Sequence, residues 1–245
     1  MDKVFAIDVN NVRKQFKDVI ALDDISLKFT PGIMHGIIGP EGAGKTTLLR
    51  IILGLLKPSS GAVEFSVDNH SKAFADIRAD IAYMPQQESL YADLSIGEHL
   101  EFFRQLYGID DDFYQQKCAE LLHITRLSKF VDRPAGKLSG GMYKKLGLIC
   151  ALLRSPRVIL LDEPTNGVDP ISRREFWDLL YKLADEKILI LVTTAYMDEA
   201  ERCSFVHLME NGKIIEVGEP RVILDKARVK TFDEFFLQRG KHDYS

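Results

Sequence analysis

Gly39-Pro40-Glu41-Gly42-Ala43-Gly44-Lys45-Thr46 fits G-x-x-x-x-G-K-[ST] at every fixed position. Before it runs Met34-His35-Gly36-Ile37-Ile38, short and apolar enough for a buried strand. After it, Thr46-Thr47-Leu48-Leu49-Arg50-Ile51-Ile52-Leu53 reads as a helix. Strand, glycine loop and helix are the context a phosphate-binding loop requires. The glycines let the backbone curl so that successive N–H groups point at phosphate oxygens. The helix start adds unsatisfied N–H groups and the positive end of its dipole. Lys45 then reaches the β- and γ-phosphates, and the Thr46 hydroxyl ligates Mg²⁺. A glycine-rich turn with an incidental lysine is the bland alternative, and the flanking strand and helix weigh against it. The expectation is a nucleoside triphosphate site.

With 245 residues and 46% hydrophobic content, the chain is long enough for one compact domain or two small lobes. A net charge of −4 gives no electrostatic footprint for nucleic acid. Cys118, Cys150 and Cys203 lack C-x-x-C spacing and read as reduced thiols of a cytosolic protein. No apolar run approaches about 18 residues, and Met1-Asp2-Lys3-Val4 does not look like a signal peptide. If the protein works at a membrane, another polypeptide is expected to carry the spans.

Along the chain, residues 4–9 and 12–16 alternate like two short strands, with Asn10-Asn11 as turn residues. Residues 25–29 alternate too, so an antiparallel β layer is expected ahead of the loop. Phe16 offers a flat apolar face for an adenine ring, and an ordinary core residue at a strand end is an equal reading. Residues 62–65 and 81–84 look like strands. Pro85-Gln86-Gln87 follow the second, and Ser95-Ile96-Gly97-Glu98 is a capping box opening a helix that stops at Gly108. A second helix spans about 111–122. A third follows Ser139-Gly140-Gly141, with Met142, Leu146, Ile149 and Leu153 expected on one face. Val158–Leu161 is a buried strand ending in Asp162-Glu163-Pro164, and Asp169-Pro170 starts a helix to about residue 186. Residues 188–192 form another buried strand. Asn211-Gly212 reads as a hairpin turn, and the tail from Glu219 is helical in pattern.

A carboxylate pair at the tip of an apolar strand suits metal-assisted phosphoryl transfer. Asp162 would hold Mg²⁺ through water while Glu163 polarises the attacking water. A mere strand cap before Pro164 explains one acid better than two. Ser139-Gly140-Gly141, at a helix start, is a second anion-binding terminus.

The order Gly39–Thr47, Gln86, Leu138-Ser139-Gly140-Gly141, Val158–Glu163, Asp169 resembles that of the ATP-binding cassette (ABC) ATPases over nearly the whole chain. The Leu-Ser-Gly-Gly signature between the two other motifs is far more specific than either alone. The drug-efflux exporter class is resembled in particular, through Leu94–Glu98, Phe102–Gly108, Gly167-Val168-Asp169-Pro170, Thr231–Leu237 and Met142. The resemblance implies an α/β P-loop NTPase fold with a RecA-like core, an antiparallel β subdomain and an inserted helical subdomain. Residues 1–87 and 157–218 would form the core, 88–156 the helical subdomain and 219–245 a helical tail. It implies ATP and Mg²⁺ as cofactors. ATP would be bound by Phe16, by Gly39, Pro40, Glu41, Gly42, Ala43, Gly44, Lys45, Thr46 and Thr47, and by Gln86, Asp162 and the signature. Thr46, Gln86 and Asp162 would hold the metal; Glu163, Gln86 and Lys45 would be catalytic. Ser139, Gly140 and Gly141 would cap ATP held by a second cassette in a head-to-tail homo- or heterodimer, with Asp169 communicating across that interface. Transmembrane permease subunits would be the other partners, gripped between the Gln86 loop and the helical block at the inner face of the cell membrane.

Three positions depart from the family pattern. Glu41 stands where asparagine or serine is common, and Met142 replaces a glutamine. Ala195, in Thr193-Thr194-Ala195-Tyr196-Met197-Asp198-Glu199, stands where the family usually has a histidine that contacts the γ-phosphate. An exporter's ATP-hydrolysing subunit is the leading expectation. A binding-only or slow regulatory cassette, favoured by Ala195, and half of a tandem protein are the alternatives. A soluble relative acting on DNA repair or ribosomes fits less well, because the chain has no coiled-coil insertion, second cassette or cysteine cluster.

Overall fold

In a computed structural model the chain is described over residues 4–87, 89–185 and 188–242. It divides into two compact units: the chain through Arg78 together with the stretch from Leu189 onward, and Ala79–Ile188.

In the first unit, β1 (Phe5–Phe16), β2 (Val19–Phe29), β4 (Ser60–Val67) and β5 (His70–Lys72) form an antiparallel sheet in the order β2-β1-β4-β5. The two short strands expected at 4–9 and 12–16 are one strand, and Asn10-Asn11 is not a turn. Asn11 takes a φ of 49° and the register slips between Val9 and Val12, so the extra residue makes a bulge. The bulge is satisfied locally. The Asn11 N–H donates to Ser26 Oγ at 3.0 Å and its side-chain amide to Asp24 Oδ1 at 2.8 Å. Pairing then resumes with Val12 fully buried. β5 and the short helix α2 (Phe74–Ile77) were not anticipated. Their signal was Asp68-Asn69, whose positive φ values of 52° and 62° make a two-residue hairpin.

The same unit holds β3 (Met34–Ile38), paired in parallel with both β8 (Leu189–Thr194) and β9 (Phe205–Glu210). Every residue of β3 and β8 is buried, as a continuous apolar run in a parallel sheet requires. β10 (Lys213–Gly218) returns antiparallel to β9 through Asn211-Gly212, as expected. Helix α1 (Lys45–Ile52) follows β3. The tail forms α7 (Pro220–Ala227) and α8 (Phe232–His242), with Phe232 and Phe235 buried.

In the second unit, β6 (Ile81–Met84) and β7 (Val158–Asp162) run parallel, Ile81 opposite Val158 and Met84 opposite Leu161. Around them lie α3 (Ile96–Tyr107), α4 (Asp111–Thr125), α5 (Gly140–Leu152) and α6 (Pro170–Asp185). The capping box forms as read: the Glu98 N–H donates to Ser95 Oγ at 3.2 Å and the Ser95 N–H to Glu98 Oε2 at 2.8 Å. Gly108 closes α3 at φ 64°. On helix α5 the expected face is buried at Leu146, Ile149 and Leu153, and burial extends beyond it. Leu146, Leu148, Ile149, Cys150 and Leu152 are all buried, and so are Lys144 and Lys145. Lys145 is accommodated by an ion pair to Glu175. The expected end of α6 near residue 186 lies outside the described residues. No helix among the described residues is long and apolar enough to cross a membrane.

Candidate nucleotide site

The phosphate loop leaves the buried end of β3 and turns sharply. The Gly39 N–H donates to the Thr194 carbonyl at 3.2 Å, and the Ala43 N–H to the Pro40 carbonyl at 3.2 Å. Gly44 caps α1 at φ 104°, a conformation in which a side chain would also meet the Ala21 carbonyl oxygen at 2.5 Å. Among the described residues no side chain caps this helix and no acid sits in its first turn, as suits a helix start that receives an anion. Lys45 is only 4% exposed; its ammonium donates to the carbonyls of Gly39 at 2.8 Å and Pro40 at 2.9 Å. The charge is thereby held inside the curl of the loop. Glu41 is exposed, with its side chain at the surface.

The hairpin between β1 and β2 presents Phe16 at 45% exposure, with the Lys14 ammonium 4.9 Å from the ring centroid. The core reading of Phe16 is therefore excluded. Val19 and Ile20 beside it are exposed too, an apolar tip that the sequence reading passed over. Thr194 stands opposite Ile38 in the register and its carbonyl accepts from the Gly39 N–H, so Ala195, the first residue past β8, is next in sequence to the partner of the loop's first residue.

The second unit gathers the acidic half. Asp162 ends β7 with no exposure and accepts from the Tyr83 hydroxyl at 3.3 Å. Glu163 follows at φ 46°, an uncommon conformation for a residue with a side chain, and is 8% exposed. Gln86, two residues past β6, donates its Nε2 to Glu163 Oε2 at 2.9 Å. The carboxyl ends of two parallel strands thus bring Gln86, Asp162 and Glu163 to one edge. Tyr83 and Asn166, whose amide lies 3.4 Å from the same Glu163 oxygen, were not singled out from sequence. Their signal was position alone, one in the β6 strand and one three residues past the acid.

Ser139 caps α5, its hydroxyl accepting from the Met142 N–H at 3.3 Å, and Ser139 and Gly140 are exposed at the helix start. Gly141 is buried, and its place is explained by packing: a Cβ there would stand 2.3 Å from Ser172 Cβ on α6. Asp169 caps α6, accepting from the N–H groups of Ile171 at 3.1 Å and Ser172 at 3.0 Å. The Ser172 hydrogen bonds hold its carboxyl below the usual range.

A buried parallel strand opening into a lysine-bearing glycine loop, and a second strand ending in two acids, define an α/β protein of the P-loop nucleotide-binding class. The family model for the ABC transporter matches residues 22–166. The "Probable multidrug ABC transporter ATP-binding protein YbhF" of Escherichia coli is 43% identical over 228 residues, 92% of this chain and 39% of that protein. The "Nod factor export ATP-binding protein I" of Cupriavidus metallidurans is 34% identical over 220 residues, 89% of this chain and 73% of that one. A solved ATP-binding subunit of an ABC transporter matches with a TM-score of 0.81 at 27% identity, covering 95% of this chain and 98% of its own. A dimeric bacterial ABC transporter cassette matches with a TM-score of 0.76, also at 27% identity, covering 87% and 98%. The chain belongs to the ABC transporter family, and its fold is that of the family's ATPase cassette. It spans 39% of the length of the E. coli relative and 33% of "ABC transporter G family member 20" of Dictyostelium discoideum.

Proposed function

We propose that this cassette binds and hydrolyses ATP to power an exporter of drug-like or other small molecules through separate membrane-spanning partners. The observation that carries the reading is the Gln86–Glu163 contact at the carboxyl edge of β6 and β7, which supports Glu163 as the acid that polarises attacking water. In the other unit, the loop N–H groups and Lys45 supply the cradle for the triphosphate. Export is suggested by the names of the relatives, which speak of multidrug and Nod factor export.

The donors present suit Mg²⁺, a hard ion that prefers oxygen ligands. In the second unit these are the Asp162 carboxylate and the Gln86 amide oxygen; the Thr46 hydroxyl is named by the loop motif alone. When bound, the ion would neutralise phosphate charge, and ATP would enter with it.

Ser139 and Gly140, exposed at the α5 start, are read as the cap over ATP on a second cassette. The working unit is then a head-to-tail pair on the inner face of the membrane. Ala195 favours a slower variant of the same activity, in which the cassette binds ATP tightly and turns it over weakly. The test is ATP hydrolysis by the purified cassette, alone and with copurified membrane subunits. Turnover that rises steeply with cassette concentration or with partner supports the reading. Binding without any turnover in either setting leaves a regulatory cassette instead.

A further inference from the structure

Asn166 is the neighbour of Glu163 that this reading leaves unused. Residues 163–166 make a tight turn in which the Asn166 N–H donates to the Glu163 carbonyl at 3.2 Å. Pro164, whose ring fixes φ, occupies the second position, and Thr165, at 1% exposure, anchors the third. The turn folds the Asn166 side chain back over the residue that starts it. Its Nδ2 lies 3.4 Å from Glu163 Oε2, the oxygen that also accepts from Gln86 at 2.9 Å. The amide nitrogen, not the oxygen, must face the carboxylate, because an ionised carboxylate only accepts.

Two amides from different segments therefore converge on one carboxylate oxygen. Two donors on one oxygen fix both the side-chain torsion and the plane of the group, which a single contact leaves free to rotate. The direction of the second oxygen, Oε1, is set as a result. We propose that Asn166 is a positioning residue for Glu163, holding the carboxylate plane so that one oxygen faces the attacking water. The inference rests on Glu163 being the base of the proposed hydrolysis. Gln86 reaches Glu163 from a separate strand end, whereas Asn166 is tied to it by the turn they share.

The test compares Asn166→Ala, Asn166→Asp and Glu163→Gln in steady-state ATP hydrolysis by the whole cassette with its copurified partners, alongside equilibrium ATP binding. Asn166 is exposed, so none of its substitutions empties the core. Asn166→Ala is expected to lower kcat about three- to tenfold, the loss of one long charge-assisted hydrogen bond, with KM and the ATP Kd within about twofold. Asn166→Asp keeps the shape but sets a carboxylate against a carboxylate, and is expected to be slower than Asn166→Ala. If the side chain only fills space, Asn166→Asp matches wild type; that result, or an Asn166→Ala enzyme at wild-type kcat, overturns the proposal. Turnover surviving in Glu163→Gln overturns the functional reading itself, and the inference with it, whatever Asn166 does.

Discussion

The Lys45 ammonium lies 2.8 Å from the carbonyl oxygen of Gly39, six residues back along the same loop. The lysine is therefore already drawn into the curl of the loop, and in the proposed function it would exchange carbonyl partners for phosphate oxygens. Charge-assisted hydrogen bonds contribute about 1.5–3 kcal/mol each, so Lys45→Ala should weaken ATP binding at least about tenfold. Titration with a fluorescent ATP analogue measures this directly; an unchanged Kd would remove Lys45 from the site.

Glu163→Gln keeps the shape of the side chain and a partner for Gln86, but the amide cannot take a proton from water. ATP binding should persist while turnover nearly stops, and the ATP-bound cassette should accumulate as a dimer. Size-exclusion chromatography in saturating ATP reports the dimer. Cysteine crosslinking between positions 139 and 42 of two copies tests the head-to-tail arrangement more strictly, and failure to crosslink in any nucleotide state counts against it.

Gly141 carries two explanations, a backbone N–H near phosphate and close packing of α5 on α6. The structure gives the second directly, since a Cβ would meet Ser172 Cβ at 2.3 Å. Gly141→Ala should therefore destabilise the fold by about 1–3 kcal/mol, the usual range for overpacking. Adding Ser172→Gly should recover part of the lost melting temperature. A Gly141→Ala cassette that melts like wild type yet loses activity would instead assign the glycine to the nucleotide.

His35 and His207 form a buried pair in β3 and β9, Nδ1 to Nε2 at 3.2 Å. His35 Nε2 lies 3.0 Å from the Thr30 carbonyl oxygen and can accept from the Thr30 N–H at 3.2 Å, so its tautomer sets which histidine donates to the other. The ring-to-ring contact needs at least one neutral ring, because one of the two facing nitrogens must accept. Burial pushes His207 down to about 3, with His35 adding to the effect, and burial lowers His35 as well. The unfolded chain takes up protons near the ordinary histidine value, about 6.5, while the folded one refuses them. Stability should therefore fall as pH drops from about 7 toward 3, by up to about 1.4 kcal/mol per pH unit from His207, with His35 adding in the same direction. Melting temperatures across that range, compared with His207→Gln, check this; an equal slope in the variant would place the sensitivity elsewhere.

The nucleotide-binding half of the fold was legible because its signals are local. Gly39–Thr46, the all-apolar β3 and β7, the Ser95–Glu98 box and Asn211-Gly212 each carry their conformation in adjacent residues. What escaped depended on partners far along the chain. The bulge at Asn11 exists because Ser26 and Asp24 receive its N–H and amide, and nothing in residues 4–16 announces that. Burial of Lys144 and Lys145 on α5 follows from packing on several sides of that helix, which periodicity within one helix cannot foresee. At the site, Glu163 stood out as one of an acidic pair, whereas Asn166 acts through a turn and looks like any loop amide until its distance to Glu163 is measured.

Ala195 is the position where sequence and mechanism pull apart, and its placement sharpens the question. Thr194 pairs with Ile38 in the register, and its carbonyl accepts from the Gly39 N–H at 3.2 Å, so residue 195 is next in sequence to the partner of the phosphate loop's first residue. A histidine side chain there starts from the correct end of β8 to approach the triphosphate. The Thr194 hydroxyl is a poor substitute, because its side chain is 1% exposed. Losing a hydrogen bond to charged phosphate raises the barrier by about 1.5–3 kcal/mol, or roughly ten- to a hundredfold in rate. Wild type should therefore hydrolyse ATP weakly, with Glu163 still required, and Ala195→His should raise kcat about tenfold or more while leaving the ATP Kd within a few-fold. A rate that stays flat in Ala195→His, with Glu163→Gln still inactive, means that a side chain from this position does not reach the γ-phosphate and that slow turnover has another cause.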